Sequence, residues 1–214
     1  PLGREAVETN VEKFSWGLIK KAVAHELGRG GQVFFLENRI HKIGGVMEEL
    51  KKILPQARLT ALHGRLGERE ILNAVEKFKN KQTDVLVSTT IIENGIDLPN
   101  ANTLIVADAT RLGLSQAHQL RGRVGRRDTK AVVYFLHPHK YLTDLAQSRL
   151  DALKEFSNLG NGFRIALRDL ELRGAGNILG RAQSGRINQI GLNLYCEMLS
   201  QAVEKLKSKA ARVT

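Results

Sequence analysis

Val85-Leu-Val-Ser-Thr-Thr-Ile-Ile-Glu-Asn-Gly-Ile-Asp-Leu-Pro99 opens on three consecutive apolar residues, closes that run with Ser88, Thr89 and Thr90, and passes through Gly95 and Asp97 before the proline. An apolar run without polar alternation reads as a strand covered on both faces, the habit of parallel sheets. Hydroxyls at its carboxyl end can grip phosphates. Gly95 allows a tight backbone path, and Asp97 could accept hydrogen bonds from a ribose or hold an arginine; a turn with a solvated aspartate is the plainer alternative. Similar short runs recur at 32–36, 59–62, 103–107 and 131–136, with amphipathic segments between them. Ile43, Val46, Met47 and Leu50 keep helical spacing before Pro55, and Ile71, Ala74, Val75 and Phe78 repeat it. Gly44-Gly45 argues against the first of these helices. From about Phe14 to Pro138 the alternation is that of βαβ units, so the expected fold is α/β with a parallel sheet between helices. Ligands of such sheets gather where the strands end, which places Arg39, His63, Gly64, Thr89 and Thr90 on one rim.

Composition bounds the partners. The 214 residues are 42% hydrophobic, enough for one substantial core and a smaller appendage, and the net charge of +11 favours a polyanionic partner, nucleic acid first. The lone Cys196 cannot form an internal disulfide, and no apolar stretch approaches the roughly 20 residues needed to cross a bilayer, so a cytoplasmic home is expected. The chain opens without an initiator methionine, as expected of a piece of a larger protein. The six histidines show no metal-ligand spacing. No GxGxxG follows the first predicted strand, which argues against a dinucleotide-binding enzyme.

A second stretch carries the chemistry. Gln119-Leu-Arg-Gly-Arg-Val-Gly-Arg-Arg127 puts Gln119, Arg123 and Arg126 at i, i+4 and i+7, one face of a predicted helix that should bring the arginines to the same rim. Gly122 and Gly125 strip side chains from beside the arginines, while Leu120 and Val124 can anchor the opposite side. Arginine's planar fork pairs with phosphate oxygens at two points and never loses its charge, which suits a polyphosphate. The run resembles the QxxGRxGR motif of superfamily-2 helicases, and residues 85–99 resemble the motif that precedes it there.

Beyond Pro138 the pattern changes. Residues 142–159 read as a helix with Leu145, Arg149, Leu153 and Phe156 in register, broken by Gly160-Asn-Gly162. Phe163, Ala166, Leu167 and Leu170 form another apolar face, and a glycine- and arginine-rich loop follows from Arg173 to Arg186. The stretch Asp169 to Gly185, with Arg173, Gly174, Gly176, Arg181, Gln183 and Ser184, resembles the translocation motif shared by bacterial transcription-repair coupling factors and the fork-reversal helicase RecG. Gly191-Leu-Asn-Leu-Tyr-Cys-Glu-Met-Leu199 fits the coupling-factor branch better.

The resemblance implies a RecA-like second motor lobe at 14–140, after an interlobe linker at 1–13 and before a translocation-motif hairpin and final helix at 141–214. In that family ATP with magnesium lies between two lobes, and the first lobe supplies the phosphate-binding loop and magnesium ligands; no GxxxxGK[ST] sequence occurs here. By the same resemblance, Arg123 and Arg126 are catalytic, and Gln119, Gly95 and Asp97 contact or sense the nucleotide. Arg39, His63, Gly64, Thr89 and Thr90 then face double-stranded DNA, and the residues of the translocation motif convert lobe closure into movement. RNA polymerase and an excision-repair protein are the implied partners, bound through other domains. A RecG-like fork-remodelling lobe and a non-catalytic DNA-binding module of the same shape are the competing readings.

Overall fold

In the computed structural model the described residues are 7–89, 101–125, 130–138 and 142–155. The chain divides into two compact units, Pro1–Asp169 and Leu170–Thr214, and every described residue belongs to the first. The expected translocation motif, Gly95, Asp97, Thr90 and Arg126 therefore lie outside the described residues.

Six parallel strands form one sheet in the order β1-β6-β5-β2-β4-β3. They are β1 (Glu8–Lys13), β2 (Gln32–Leu36), β3 (Leu59–Leu62), β4 (Val85–Ser88), β5 (Ala101–Val106) and β6 (Val132–His137). Among the described residues the helices are α1 (Trp16–Gly28), α2 (Ile40–Ile53), α3 (Glu68–Lys79), α4 (Leu114–Gly122) and α5 (Asp144–Glu155), with a 3-10 turn at Ala109–Arg111. Every side chain of β2 and β4 is buried, as central parallel strands require. Leu86, Phe34, Leu104 and Val133 stand opposite one another across four strands. The alternate residues Val33, Phe35, Val85, Val87 and Ile105 join Ile19 and Val23 of α1 and Val46 and Leu50 of α2 in one apolar cluster on the other face.

Local chemistry sets the helix ends. Ser15 Oγ accepts from the Leu18 N–H at the start of α1, and Glu70 reaches back to the Gly67 N–H at 2.8 Å at the start of α3. In α3 Glu68 and Glu70 stand in the first turn and Lys77 and Lys79 in the last, complementing the helix dipole at both ends. The α2 helix runs unbroken through Gly44 and Gly45, because Ile43, Val46 and Leu50 bury its inner face and packing outweighs a propensity loss of about 1 kcal/mol per glycine.

Two boundaries differ from the sequence expectation. Residues 8–13, expected within a linker, form edge strand β1 beside β6, with Glu8 opposite Val132 and Lys13 opposite His137. Apart from Val11 its side chains are exposed or half-buried, so the strand carries little hydrophobic signal. Helix α5, expected to begin a separate module, belongs to the first unit and packs against β1, α4 and the 3-10 turn. It buries Leu150, Ala152 and Leu153, whereas Leu145 is 45% exposed and stands off the expected stripe.

Candidate nucleotide and nucleic-acid site

The strand ends collect polar residues as expected. Glu37, Asn38 and Arg39 follow β2, His63 and Gly64 follow β3, Thr89 follows β4, and Asp108 follows β5 one residue on. Because β2, β4 and β3 are neighbours in that order, Asn38, Thr89 and His63 leave three adjacent strand ends. Asn38 Oδ1 and His63 Nδ1 are both buried with no hydrogen-bond partner among the described residues, so this part of the rim holds unused polar capacity.

The rim differs from the expectation in two places. Arg39 does not stand open to a phosphate: its Nη2 donates to Asp108 Oδ2 at 2.9 Å, and Glu37 Oε1 lies 3.6 Å from its Nε. Glu37 also accepts the Arg39 backbone N–H, and Thr110 Oγ1 donates to the other oxygen of Asp108. Two buried carboxylates thus neutralise Arg39 and turn it into a strut between the ends of β2 and β5. The sequence named Arg39 without its partners, since nothing in a single chain pairs it with a residue 69 positions on. Ser88, the first of the three hydroxyls, donates to the Thr89 carbonyl at 2.8 Å, and Thr89 is itself buried. An open cleft of about 520 Å³ lies beside the strut, bordered by Phe14, Trp16, Glu37, Arg39, Lys42 and Asp108. Phe14 and Trp16 meet edge to face across 5.1 Å.

The arginine stretch lies at the opposite edge of the sheet. After β5 ends at the rim, α4 carries the chain back alongside the strands, and the Gly125 N–H bonds to the carbonyl of Ala101, the first residue of β5, at 2.9 Å. Leu114, Ala117, Leu120 and Arg121 are buried along α4, while Gln119 is exposed. The expected continuous helical face is corrected: α4 stops at Gly122, and Arg123 caps it with its N–H on the carbonyls of Leu120 and Arg121. Gln119 and Arg123 remain one turn apart, and Arg126 lies outside the described residues. Gly125 explains the stop, because its φ of +87° belongs to the left-handed region and a Cβ there would lie 2.4 Å from that of Ala131. Gly122, by contrast, has nothing within 4 Å of where a Cβ would stand. The expectation that Arg123 shares the strand-carboxyl rim is therefore overturned: the polar residues that follow the strands and the arginine turn occupy two different edges.

The helicase conserved C-terminal domain family matches residues 17–128, more than half of the chain, from the first turn of α1 through the arginine stretch. The chain belongs to that family. The helicase lobe is 47% identical over 213 residues to the transcription-repair-coupling factor of Bacillus subtilis (strain 168), covering 99% of this chain and 18% of that protein. It is 49% identical over 206 residues to the transcription-repair-coupling factor of Staphylococcus aureus (strain USA300), covering 96% of this chain and 18% of the relative. The chain thus spans about 18% of the length of the curated relatives it matches. Among solved structures, that of RecG bound to a three-way DNA junction superposes with a TM-score of 0.70 at 32% identity, covering 92% of this chain and 26% of that one. Domain 2 of the DEAD-box helicase Mss116p bound to an RNA duplex, at 16% identity and a TM-score of 0.55 over 72% of this chain and 61% of that one, shows the shared RecA-like fold.

Within this helicase lobe the buried face of α4 holds a feature that sequence reading missed. Arg121 is 4% exposed and bonds to His118 Nδ1 at 3.0 Å beside a small cavity walled by Leu114, Phe135 and Leu153. Burial first, and then the charge of Arg121, hold the His118 imidazole below its ordinary value. The unfolded chain, whose histidine titrates near about 6.5, therefore binds more protons than the folded one below that pH. Stability is expected to fall as pH drops through about 6.5 and to level off below the lowered folded value, and His118→Gln should remove this component. Thermal midpoints of both proteins from about pH 8 to about pH 5 test it, and parallel pH profiles would exclude His118 as the source.

Among the described residues no helix is long and apolar enough to cross a membrane. Among the same residues no group of three or more His, Cys, Asp or Glu side chains converges on a point where a metal ion could bind.

Proposed function

We propose that this chain is the second motor lobe of an ATP-dependent double-stranded DNA translocase of the coupling-factor type, working in the cytoplasm against a first RecA-like lobe. The observation that carries the reading is the turn at the end of α4, where Gln119 is exposed and Arg123 follows one turn later beside Gly122. Such a turn suits phosphate oxygens rather than a metal ion, since it carries arginine guanidinium and no carboxylate cluster among the described residues. Magnesium, held by ligands on the first lobe, would neutralise charge on the β- and γ-phosphates. As water's oxygen bonds to the γ-phosphorus and the bond to ADP breaks, Arg123 and Arg126 would stabilise the charge that spreads over the transferring group. Gln119 would sense the γ-phosphate, with Gly95 and Asp97 linking that face to the strand-end rim.

On this reading the two edges divide the labour. The rim formed by Asn38, His63, Gly64 and Thr90 would track the DNA backbone through phosphate contacts that carry no sequence information, with Arg39 and Asp108 keeping the strand ends in place. The segment containing Asp169, Arg173, Gly174, Gly176, Arg181, Gln183, Ser184 and Gly185 would turn lobe closure into movement along the duplex. RNA polymerase and an excision-repair protein would be engaged through domains other than this one. The likeness to RecG favours a second reading, a fork-remodelling lobe; preference of the two-lobe protein for branched over linear DNA would distinguish it.

The test uses the isolated chain. It is expected to bind duplex DNA weakly, with affinity falling steeply as salt rises, and to hydrolyse no ATP, because it holds half of a nucleotide site. Appreciable turnover by the isolated chain would overturn the half-site assignment.

A further inference from the structure

Glu26, in the last turn of α1, is completely buried at the amino edge of the sheet. Its carboxylate accepts from Arg29 Nε at 3.0 Å and from Arg29 Nη2, from Thr103 Oγ1 at 2.5 Å and from Asn102 Nδ2 at 3.3 Å. A carboxylate saturated in this way is fixed, and it fixes its donors in turn. Arg29 uses only part of its fork on Glu26. Its Nη1 donates to the backbone carbonyl of Lys130, 101 residues away in the chain, at 2.9 Å.

That carbonyl flanks the arginine turn. Lys130 precedes Ala131, against which Gly125 packs, and the Gly125 N–H is bonded to Ala101, the residue before Asn102. Gly125 and Lys130 flank residues 126–129 in the sequence, and both are tied to one body. Ala101 holds the first, Arg29 holds the second, and Glu26 joins Arg29 to Asn102 and Thr103.

We propose that Arg29, oriented by Glu26, is the positioning residue of the arginine turn, setting where Arg123 stands relative to a bound triphosphate. The inference rests on the assignment of Arg123 to that triphosphate. Displacement of a catalytic group by about 1 Å costs on the order of 100-fold in rate, so a brace that touches no substrate can still govern turnover. Lysine at position 29 keeps a charge partner for Glu26 but has no planar fork to reach the Lys130 carbonyl at the same time.

The experiment compares Arg29→Lys with Arg123→Ala in the two-lobe protein. Arg29→Lys is expected to lower kcat for ATP hydrolysis about 10-fold while KM stays within about two-fold, the pattern of lost transition-state alignment. Affinity for ADP with fluoroaluminate should fall with kcat, and affinity for a non-hydrolysable ATP analogue should not. Exchange of the Gly125 amide should quicken about 10-fold in Arg29→Lys, with the β2 amides unchanged. If Arg123→Ala abolishes turnover while Arg29→Lys retains full kcat and slow Gly125 exchange, the positioning role is overturned and the assignment of Arg123 stands. Full turnover in Arg123→Ala removes that assignment and the positioning role with it. Faster exchange across the whole sheet, or loss of the fold, makes Arg29 a general brace and also overturns the proposal.

Discussion

Replacing Arg123 by alanine in the two-lobe protein is expected to lower kcat for ATP hydrolysis by about 10³-fold or more, with nucleotide affinity little changed. The size follows from what the position can do. Arg123 caps α4, and its backbone N–H is used on the helix's own carbonyls, so action on a ligand falls to its side chain. A guanidinium aimed at a transferring phosphoryl group gains most when charge moves onto the equatorial oxygens, so its removal is felt in the transition state more than in the bound substrate. Steady-state turnover and equilibrium binding of a fluorescent ATP analogue, measured on the same preparation, separate the two effects. A parallel loss of both would make Arg123 a ground-state anchor. Arg126→Ala should follow the same pattern if the two arginines share one triphosphate.

The sheet was legible in the sequence because its inner strands are buried on both faces. Gln32 to Leu36 and Val85 to Val87 contain almost nothing polar, and both ends of β2 and of β3 fall where the pattern placed them. Edge strand β1 was not legible, since Glu8, Glu12 and Lys13 face solvent and Val11 alone is buried. Helical spacing also misled at the arginine stretch. Gln119, Arg123 and Arg126 fit one helical face by arithmetic, but the positive φ of Gly125 and its contact with Ala131 end the helix first. Periodicity records which side of a helix a residue would take; it does not record where tertiary contact forces a turn. The pairing of Arg39 with Asp108, and of Glu26 with Thr103, was hidden for a related reason: each joins elements far apart in the chain, and only the strand order brings them together.

Gly31→Ala is expected to destabilise the lobe by about 3–5 kcal/mol, the range for breaking a buried charge pair. A Cβ at this position would lie 1.6 Å from Glu26 Oε1 and 2.7 Å from its Cδ, so the carboxylate must move. Flexible side chains often yield to such a contact at little cost, but this one is fully buried and tied to Arg29, Thr103 and Asn102. Shifting it strips hydrogen bonds from a charge that has no water to replace them. Gly44→Ala provides the contrast within one protein. Gly44 lies inside α2 with nothing within 4 Å of where an alanine methyl would stand, so alanine there should raise stability by about 0.5–1 kcal/mol through its better helix propensity. Urea midpoints of the two variants against the parent lobe decide between room and propensity as the origin of each glycine. A Gly31→Ala lobe of parental stability would mean that the Glu26 carboxylate relaxes freely, which would also weaken its claim to hold Arg29 in place.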